Sequence, residues 1–182
     1  MSKLIAVVGM AGSGKSIATD YLENKGWNKI YFGGAVLQKL KEENLEVTPE
    51  NEKMMREKIR KDYGMAAVAI ILLPKIKESL QEKDTVLDGL YSWDEFLALK
   101  EEFKDKLKLI CVVTDKEIRY ERVAKRPVRP FNRDDITIRD TSEIENLAKG
   151  GPIAYADYFI FNNGTVEDYY DRLEDILKNI KD

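Results

Sequence analysis

Histidine is absent from this sequence of 182 residues, and cysteine occurs once. Histidine is the usual acid–base group near neutral pH and a common zinc ligand, so its absence excludes His-based catalysis and His-containing zinc sites. The single cysteine, Cys111, rules out an internal disulfide bond. Its apolar neighbours, residues 109–113, favour a buried core position over a nucleophile. Catalytic chemistry must therefore come from carboxylates, lysines, arginines and hydroxyl groups.

Long apolar runs and excess positive charge are also missing. No segment approaches the roughly 20 apolar residues that span a bilayer. The first apolar run, residues 4–8, is too short for a signal peptide. The net charge is −3, from 30 basic and 33 acidic residues, which argues against broad nucleic-acid binding. These absences predict a cytoplasmic protein that binds neither membranes nor nucleic acid.

Short apolar runs alternate with longer amphipathic stretches along the chain. Hydrophobic residues make up 43% and charged residues 35%, as in a soluble globular domain. Strands are predicted at residues 4–8, 27–32, 85–87, 108–113 and 158–161, with helices between them. This order predicts an α/β fold of one domain, with a parallel sheet and helices on both faces. Residues 126–138, which include two prolines, are predicted as a mobile loop.

Residues 9–16, which read GMAGSGKS, fit the Walker A pattern GxxxxGK[ST] at every position. The glycines let the backbone turn its N–H groups toward phosphate oxygens, and the next helix adds its positive N-terminal end. Lys15 is predicted to reach the β- and γ-phosphates, and the Ser16 hydroxyl to bind Mg²⁺. The predicted ATP-binding residues of this loop are Gly9, Ala11, Gly12, Ser13, Gly14, Lys15, Ser16 and Ile17.

Asp88 follows the third predicted strand and precedes Gly89. The carboxyl end of a parallel strand faces the ligand crevice, where an aspartate can hold a magnesium ion or act on the acceptor. A common turn aspartate is the other interpretation of this residue. The Walker A loop upstream favours a function.

Arginines form two further groups. Arg119, Arg122 and Arg126 can share one helix face, and Arg129 and Arg133 follow in the predicted loop. Guanidinium groups match phosphate oxygens, so this group predicts a phosphate clamp, with a solvent-exposed charged face as the alternative. Arg56 and Arg60, four residues apart on an earlier helix, could meet an acceptor phosphate or equally form a solvated face.

These segments together resemble the P-loop kinases of the nucleoside-monophosphate-kinase-like group, especially dephospho-CoA kinases and archaeal-type nucleotide kinases related to adenylate kinase. The likeness covers nearly the whole chain and rests on residues 9–16, 86–89, 121–126 and 156–164. It implies a three-layer P-loop NTPase fold with a parallel five-stranded sheet. An acceptor-binding helical insertion is expected near residues 33–80, and an arginine-rich lid near residues 122–140.

The resemblance also implies roles for individual residues. Arg122 would stack on adenine or close over ATP, Asn162 and Gly164 would lie near the base, and Arg126, Arg129 and Arg133 would form the lid. The residues expected at the acceptor are Gly33, Gly34, Arg56, Arg60, Asp88 and Gly89. Adenylate kinases carry Gly-Asp-x-x-Arg after the second strand, whereas this chain has Gly34 in place of the aspartate and Leu37 or Gln38 in place of the arginine.

The expected activity is transfer of the ATP γ-phosphoryl group to a small phosphorylated metabolite, with a nucleoside or deoxynucleoside monophosphate as the leading acceptor. Lys15, Asp88, Arg122 and Arg126 would be catalytic, and Ser16 and Asp88 would bind Mg²⁺. One alternative is a dephospho-CoA kinase, in which Asp88 would act as the base. Another is an ATP-binding regulatory protein with slow ATPase activity. A monomer and a homodimer both remain open.

Overall fold

The computed structural model describes residues 2–127 and 130–180. Strands and helices alternate through these ranges in the predicted order. The strands are β1 (Leu4–Val8), β2 (Asn28–Tyr31), β3 (Thr85–Asp88), β4 (Leu107–Val113) and β5 (Tyr158–Phe161). The helices are α1 (Lys15–Asn24), α2 (Gly33–Glu42), α3 (Pro49–Tyr63), α4 (Ala67–Glu82), α5 (Trp93–Phe103), α6 (Lys116–Ala124), α7 (Arg133–Leu147), α8 (Gly150–Ala154) and α9 (Val166–Asn179). Within the described ranges, no helix has both the length and the apolar character that crossing a bilayer requires.

The five strands form one parallel sheet in the order β2-β3-β1-β4-β5. In this register Val7 of β1 lies beside Asp88 of β3. Since parallel strands end at the same edge of a sheet, the loop after β1 and the Asp88 carboxyl meet at that edge. The sheet therefore brings together two motifs that are more than 70 residues apart in the sequence.

Alternate residues of β1 enter two separate cores, which is why this strand is apolar throughout. Leu4, Ala6 and Val8 belong to the core shared with α2, α3, α4 and α5. Ile5 and Val7 belong to the core shared with α1 and α9. The sheet is thus the middle layer of three, and the predicted α/β architecture is confirmed.

Residues 126–138 are not one loop, so that prediction was wrong. Helix α7 begins at Arg133, and the Asn132 side chain accepts a hydrogen bond from the Asp135 backbone N–H. Asp134 and Asp135 lie in the first turn, where negative charge is favourable. The charged residues taken as a loop signal are instead the start of a capped helix.

Two smaller boundaries also differ from the sequence prediction. Gly33 and Gly34 form the first turn of α2 rather than closing β2. The short helix α8 was missed because Gly150, Gly151 and Pro152 suggested a turn, yet they form its first turn. Thr48 caps the start of α3, because its side chain accepts a hydrogen bond from the Asn51 backbone N–H.

Candidate active site

The loop between β1 and α1 is curled tightly against α6 and the end of β5. Gly12 has φ 81° and Gly14 has φ 98°, in the region that favours glycine. A Cβ atom at Gly12 would lie 2.6 Å from the Arg119 carbonyl oxygen, and one at Gly14 would lie 2.2 Å from Asn162 Nδ2. Both contacts are too short for a side chain, so the predicted curled conformation requires these glycines.

Helix α1 begins at this loop with an open N-terminus. No side chain caps it, and its first turn carries no acidic residue. Its unpaired N–H groups and positive end favour an anion at this position. Ser16 in the first turn is exposed and can reach such a ligand.

The Lys15 ammonium has no ion-pair partner among the hydrogen bonds described for it. It donates to the carbonyl oxygens of Gly9 at 2.9 Å and Met10 at 3.0 Å. Burial, and after it the positive charge of Lys149, lowers the pKa of Lys15 to about 7. An anion beside this ammonium would offset the cost of burying it.

Three side chains brace the loop from behind. Arg119 Nη1 donates to the Ala11 carbonyl oxygen at 2.8 Å, and its Nη2 lies 2.7 Å from Asp140 Oδ2. Thr114 and Asn162 each donate to the Ser13 carbonyl oxygen. Arg119 is buried, so it supports the loop and does not face phosphate as part of a clamp.

The loop after β5, in which Asn162 and Gly164 were expected near the nucleotide base, packs against the Walker A loop. The Asn162 amide contacts the Ser13 carbonyl, and the Asn162 carbonyl oxygen accepts from Arg122 Nη1 at 2.9 Å. Arg122 is thereby fixed beside the Walker A loop. Gly164 lies in the turn before α9. Contacts of Arg122, Asn162 and Gly164 with the base stay predictions.

Asp88 lies at the end of β3, beside the strand that leads into the Walker A loop. Burial raises its pKa, although the charges of Lys29 and Lys15 and a hydrogen bond from Thr19 act in the opposite direction. Lys29 Nζ is 3.8 Å from Asp88 Oδ2. Thr19 is one helical turn after Ser16, so the Ser16 hydroxyl and the Asp88 carboxylate approach the same region.

A cavity of about 630 Å³ opens beside Asp88, between α2, α3, the β3–α5 connection and α7. Of the residues expected at the acceptor, Gly33, Arg56, Arg60 and Gly89 line it. Gly34, which lies in α2, and Asp88, which ends β3, do not line it. The cavity wall also includes the aromatic side chains of Tyr31, Phe32, Tyr91 and Phe131. Its charged lining is balanced, with four basic residues and four acidic ones: Lys53, Arg56, Arg60 and Arg139 against Glu52, Glu95, Asp135 and Glu143. A partly aromatic cavity of this size suits a nucleotide-sized ligand.

Arg60 is held in the cavity wall by a buried carboxylate. Its Nη2 lies 3.7 Å from Glu95 Oε1, and its Nε is buried with no hydrogen-bond partner among the described residues. Glu95 also accepts from the backbone N–H groups of Tyr91 and Ser92, each at 3.0 Å. Burial raises the pKa of Glu95, while these bonds and Arg60 lower it. Arg56 is 3.4 Å from Glu52 Oε2.

Helix α7 contributes site residues that the sequence analysis missed. Arg139 and Glu143 line the cavity, with Arg139 Nε 2.9 Å from Glu143 Oε1. The Lys149 ammonium is 2.5 Å from Glu143 Oε2. The sequence carried one signal for these residues: Arg139 and Glu143 are four residues apart, which places two side chains on the same face of a helix. That spacing is informative only when the segment is recognised as a helix.

The three predicted lid arginines have different outcomes. Arg126 lies on the loop after α6 and is exposed, although desolvation and the nearby charge of Arg139 lower the pKa of its guanidinium. Arg133 instead pairs with Glu117 on the surface at 2.6 Å, so the structure does not bring it into the cavity. Its assignment to the lid is corrected, because the start of α7 directs it toward α6. Arg129 lies outside the described residues.

Known proteins are similar to this chain in sequence and in fold. The family model of the AAA domain matches residues 5–146. A UPF0200 protein of Sulfurisphaera tokodaii is 34% identical over 187 residues, covering 98% of this chain and 97% of the relative. The chain belongs to the UPF0200 family. Two solved structures place this member of the family among known folds.

TT1252 from Thermus thermophilus covers 100% of this UPF0200 chain and 99% of its own, with a TM-score of 0.66 and 17% identity. Dephospho-CoA kinase from Campylobacter jejuni covers 98% of this chain and 97% of its own, with a TM-score of 0.56 and 14% identity. At these identities the comparison shows the fold. This UPF0200 protein thus has a P-loop kinase-like fold, as the resemblance predicted.

Proposed function

We propose that this UPF0200 protein is an ATP-dependent phosphotransferase that acts on a small phosphorylated, nucleotide-like acceptor. One observation carries the proposal: the Walker A loop and the arginine-lined cavity meet at Asp88 and Gly89. Asp88 ends the strand beside β1, and Gly89 lines the cavity. A donor phosphate on the loop and an acceptor in the cavity would therefore have their reacting ends side by side.

On the donor side, the chain's own residues would grip a triphosphate. Lys15 would give up its two contacts with carbonyl oxygens and bind β- and γ-phosphate oxygens instead. The negative charge of these oxygens would offset the cost of burying the ammonium. The N–H groups at the start of α1 would hold further phosphate oxygens. Arg126 would close over the γ-phosphate and exclude water, with Arg122 beside the nucleotide.

Magnesium fits the oxygen groups at this edge of the sheet. The Ser16 hydroxyl and the Asp88 carboxylate are the hard oxygen ligands that Mg²⁺ prefers. Among the residues that the structure describes, no group of three or more acidic, Cys or His residues could hold a metal ion, so phosphate oxygens would complete its coordination. When bound, the ion would supply positive charge that offsets the negative charge of the phosphates.

On the acceptor side, α3 supplies the arginines that α2 lacks. Leu37 and Gln38 offer no guanidinium group, whereas Arg56 and Arg60 both line the cavity. Their charges favour an acceptor that carries a phosphate group. Such an acceptor needs little base assistance, since its attacking phosphate oxygen is already ionised. A nucleoside monophosphate is thus the acceptor that the cavity supports best.

The test is an acceptor panel with the purified protein, ATP and Mg²⁺. The panel contains nucleoside and deoxynucleoside monophosphates, dephospho-CoA and a sugar acid, and ³¹P NMR follows every phosphorylated product. We expect ADP and a new diphosphate to form together with one class of monophosphate. The Lys15→Met variant supplies the background rate.

The other outcomes each name a different function. A phosphorylated product from dephospho-CoA alone would make Asp88 the base that accepts the hydroxyl proton. Slow ADP formation that no acceptor accelerates would indicate a regulatory ATPase. Absence of ADP above the Lys15→Met background under all conditions would overturn the phosphotransferase proposal.

A further inference from the structure

Arg119 joins three parts of the protein that lie far apart in the sequence. It belongs to α6 and is 7% exposed. Its Nη1 donates to the Ala11 carbonyl oxygen of the Walker A loop at 2.8 Å. Its Nη2 donates to Asp140 Oδ2 of α7 at 2.7 Å, and Asp140 is also buried. Because the donors of a guanidinium group have a rigid planar arrangement, this one side chain fixes the loop and α7 relative to each other.

Apolar packing joins the same three elements next to this guanidinium group. Ala11 of the loop, Tyr120 and Val123 of α6 and Ile136 of α7 form one small buried cluster. The loop backbone also lies against α6, since a Cβ atom at Gly12 would be 2.8 Å from Val123 Cγ2. In an interior packed this closely, α7 cannot shift by much without moving the loop.

The far side of α7 forms one wall of the acceptor cavity. Arg139 and Glu143 line this cavity, and Arg139 Nε lies 2.9 Å from Glu143 Oε1. Asp140, which contacts Arg119, is between them on the same helix. The position that Arg119 gives to Asp140 therefore also sets the position of this cavity wall relative to the Walker A loop.

An ion pair that only held α6 against α7 would need no contact with the phosphate-binding loop. The surface pair of Arg133 and Glu117, at 2.6 Å, already joins these two helices. Arg119 differs from it in two respects: it is buried, and it reaches the carbonyl oxygen of Ala11, which lies between two glycines of the Walker A loop. Its contacts thus extend from the donor side of the site to the acceptor side.

We propose that Arg119 is a positioning residue for phosphoryl transfer, which couples the α7 wall of the acceptor cavity to the ATP-binding loop. It acts through the Ala11 carbonyl oxygen on one side and through Asp140 on the other. Nucleotide on the loop thereby orders α7, and the donor and acceptor phosphates are held at a fixed separation. This role rests on the proposed phosphotransferase function, whereas its first test needs nucleotide binding alone.

Hydrogen exchange of the α7 backbone, with and without nucleotide, tests the coupling in wild type and in Asp140→Asn. The probe is a non-hydrolysable ATP analogue with Mg²⁺, at a concentration that calorimetry shows to be saturating for each protein. Asparagine keeps the side-chain shape but removes the charge that holds Arg119 to α7. We expect the analogue to slow exchange in α7 about tenfold or more in wild type and less than about threefold in Asp140→Asn. Exchange in α1 should slow equally in both proteins.

Asp175→Asn is the matched control, because Asp175 is an exposed aspartate that pairs with Lys178 on α9. In this variant the analogue should slow exchange in α7 as much as in wild type. Unchanged exchange in wild-type α7 on binding, or equal slowing in wild type and Asp140→Asn, would refute the coupling and leave nucleotide binding intact. If calorimetry detects no binding of the analogue to wild type, the phosphotransferase proposal fails as well.

Kinetics of Arg119→Lys cover the case in which Asp140→Asn does not fold. Lysine keeps the positive charge but lacks the rigid fork, so it holds the loop and α7 less precisely. With the acceptor that the panel identifies, we expect kcat to fall about tenfold or more and the KM for ATP to stay within about twofold. A lower unfolding temperature with unchanged kcat would show that Arg119 has a structural role alone, which contradicts the inference.

Discussion

At the residue scale, buried basic side chains serve two different purposes in this protein. Arg119 forms an ion pair with Asp140 and donates a hydrogen bond to the Ala11 carbonyl oxygen, as is typical of a structural arginine. Lys15 has only carbonyl oxygens within its described hydrogen bonds, which is typical of a site that awaits an anion. The distinction rests on what each charge contacts and not on burial itself.

Replacement of Lys15 by Met should abolish phosphoryl transfer without unfolding the protein. The loss of the cation removes stabilisation of the β- and γ-phosphates, so we expect kcat to fall by about 10³-fold or more. The free variant should unfold at the same or a higher temperature than wild type, because a buried charge is removed. Steady-state kinetics and thermal unfolding measure the two effects, and a variant with near-normal kcat would contradict the role of Lys15.

Arg119→Met should destabilise the protein instead. It would leave the Asp140 carboxylate buried without its guanidinium partner, at a cost of about 3–5 kcal/mol in the free energy of unfolding. Arg133→Met, which removes an exposed pair with Glu117, is the control and should change stability by less than about 1 kcal/mol. Urea denaturation compares them, and equal effects would show that Arg119 does not brace the loop.

The Glu143 carboxylate should make stability depend on pH in the acid range. Burial alone would raise its pKa, but Lys149 and Arg139 outweigh burial and lower the pKa below its ordinary value of 4.5. The ionised group therefore stabilises the fold above about pH 4.5, and this contribution is lost as pH falls through the lowered pKa. The stability difference between wild type and Glu143→Gln should shrink over that interval. A difference that stays constant from pH 7 to pH 3 would contradict this reasoning.

At the element scale, the acceptor cavity is assembled from α3, α5 and α7 around the end of β3. Ser92 caps α5 in a capping box with Glu95, and the same Glu95 holds Arg60 of α3. Glu95, in the first turn of α5, thereby positions the Arg60 side chain of α3. Under the proposed function, Arg60 on α3 would take the place of the arginine that adenylate kinases carry after the second strand.

Arg60→Gln should therefore raise the KM for the acceptor about tenfold or more while leaving the KM for ATP within about twofold. Lys53→Gln is the matched control, because Lys53 lies at the cavity rim and its side chain is 74% exposed. Two-substrate kinetics separate the two constants. An equal rise in both KM values would indicate that Arg60 supports the fold and does not bind the acceptor.

At the scale of the whole molecule, the donor loop is tied to distant parts of the chain. The Ala11 and Ser13 carbonyl oxygens are held by Arg119 on α6, Thr114 after β4 and Asn162 after β5. A ligand on this loop consequently stabilises contacts across most of the sheet.

ATP with Mg²⁺ should raise the unfolding temperature of the whole domain in a single transition. At a concentration about one hundred times Kd, binding adds about 2.7 kcal/mol of stability, which corresponds to a rise of about 5–11 °C in the unfolding temperature of a protein of this size. Differential scanning calorimetry measures the shift, with Lys15→Met as the control that should show little. No shift with any nucleoside triphosphate would contradict nucleotide binding.

The amino-acid sequence by itself determined the features that depend on near neighbours. The Walker A residues occupy eight consecutive positions, and the apolar runs of the strands and the helix start at Thr48 are equally local. Local signals also placed the ends of most elements within a few residues. They failed at residues 126–138, where prolines and charges fit both a loop and the capped start of a helix.

Only the tertiary structure decided which distant residues meet. Ser13 and Asn162, whose amide donates to the Ser13 carbonyl oxygen, are 149 positions apart, and no local pattern relates them. Their contact follows from the strand order β2-β3-β1-β4-β5, because parallel strands bring the end of β5 and the loop after β1 to the same edge of the sheet. The same packing turned Arg119 into a brace and directed Arg133 to the surface. Those outcomes depend on the burial and charge of partners far along the chain, which a residue's immediate neighbours do not specify.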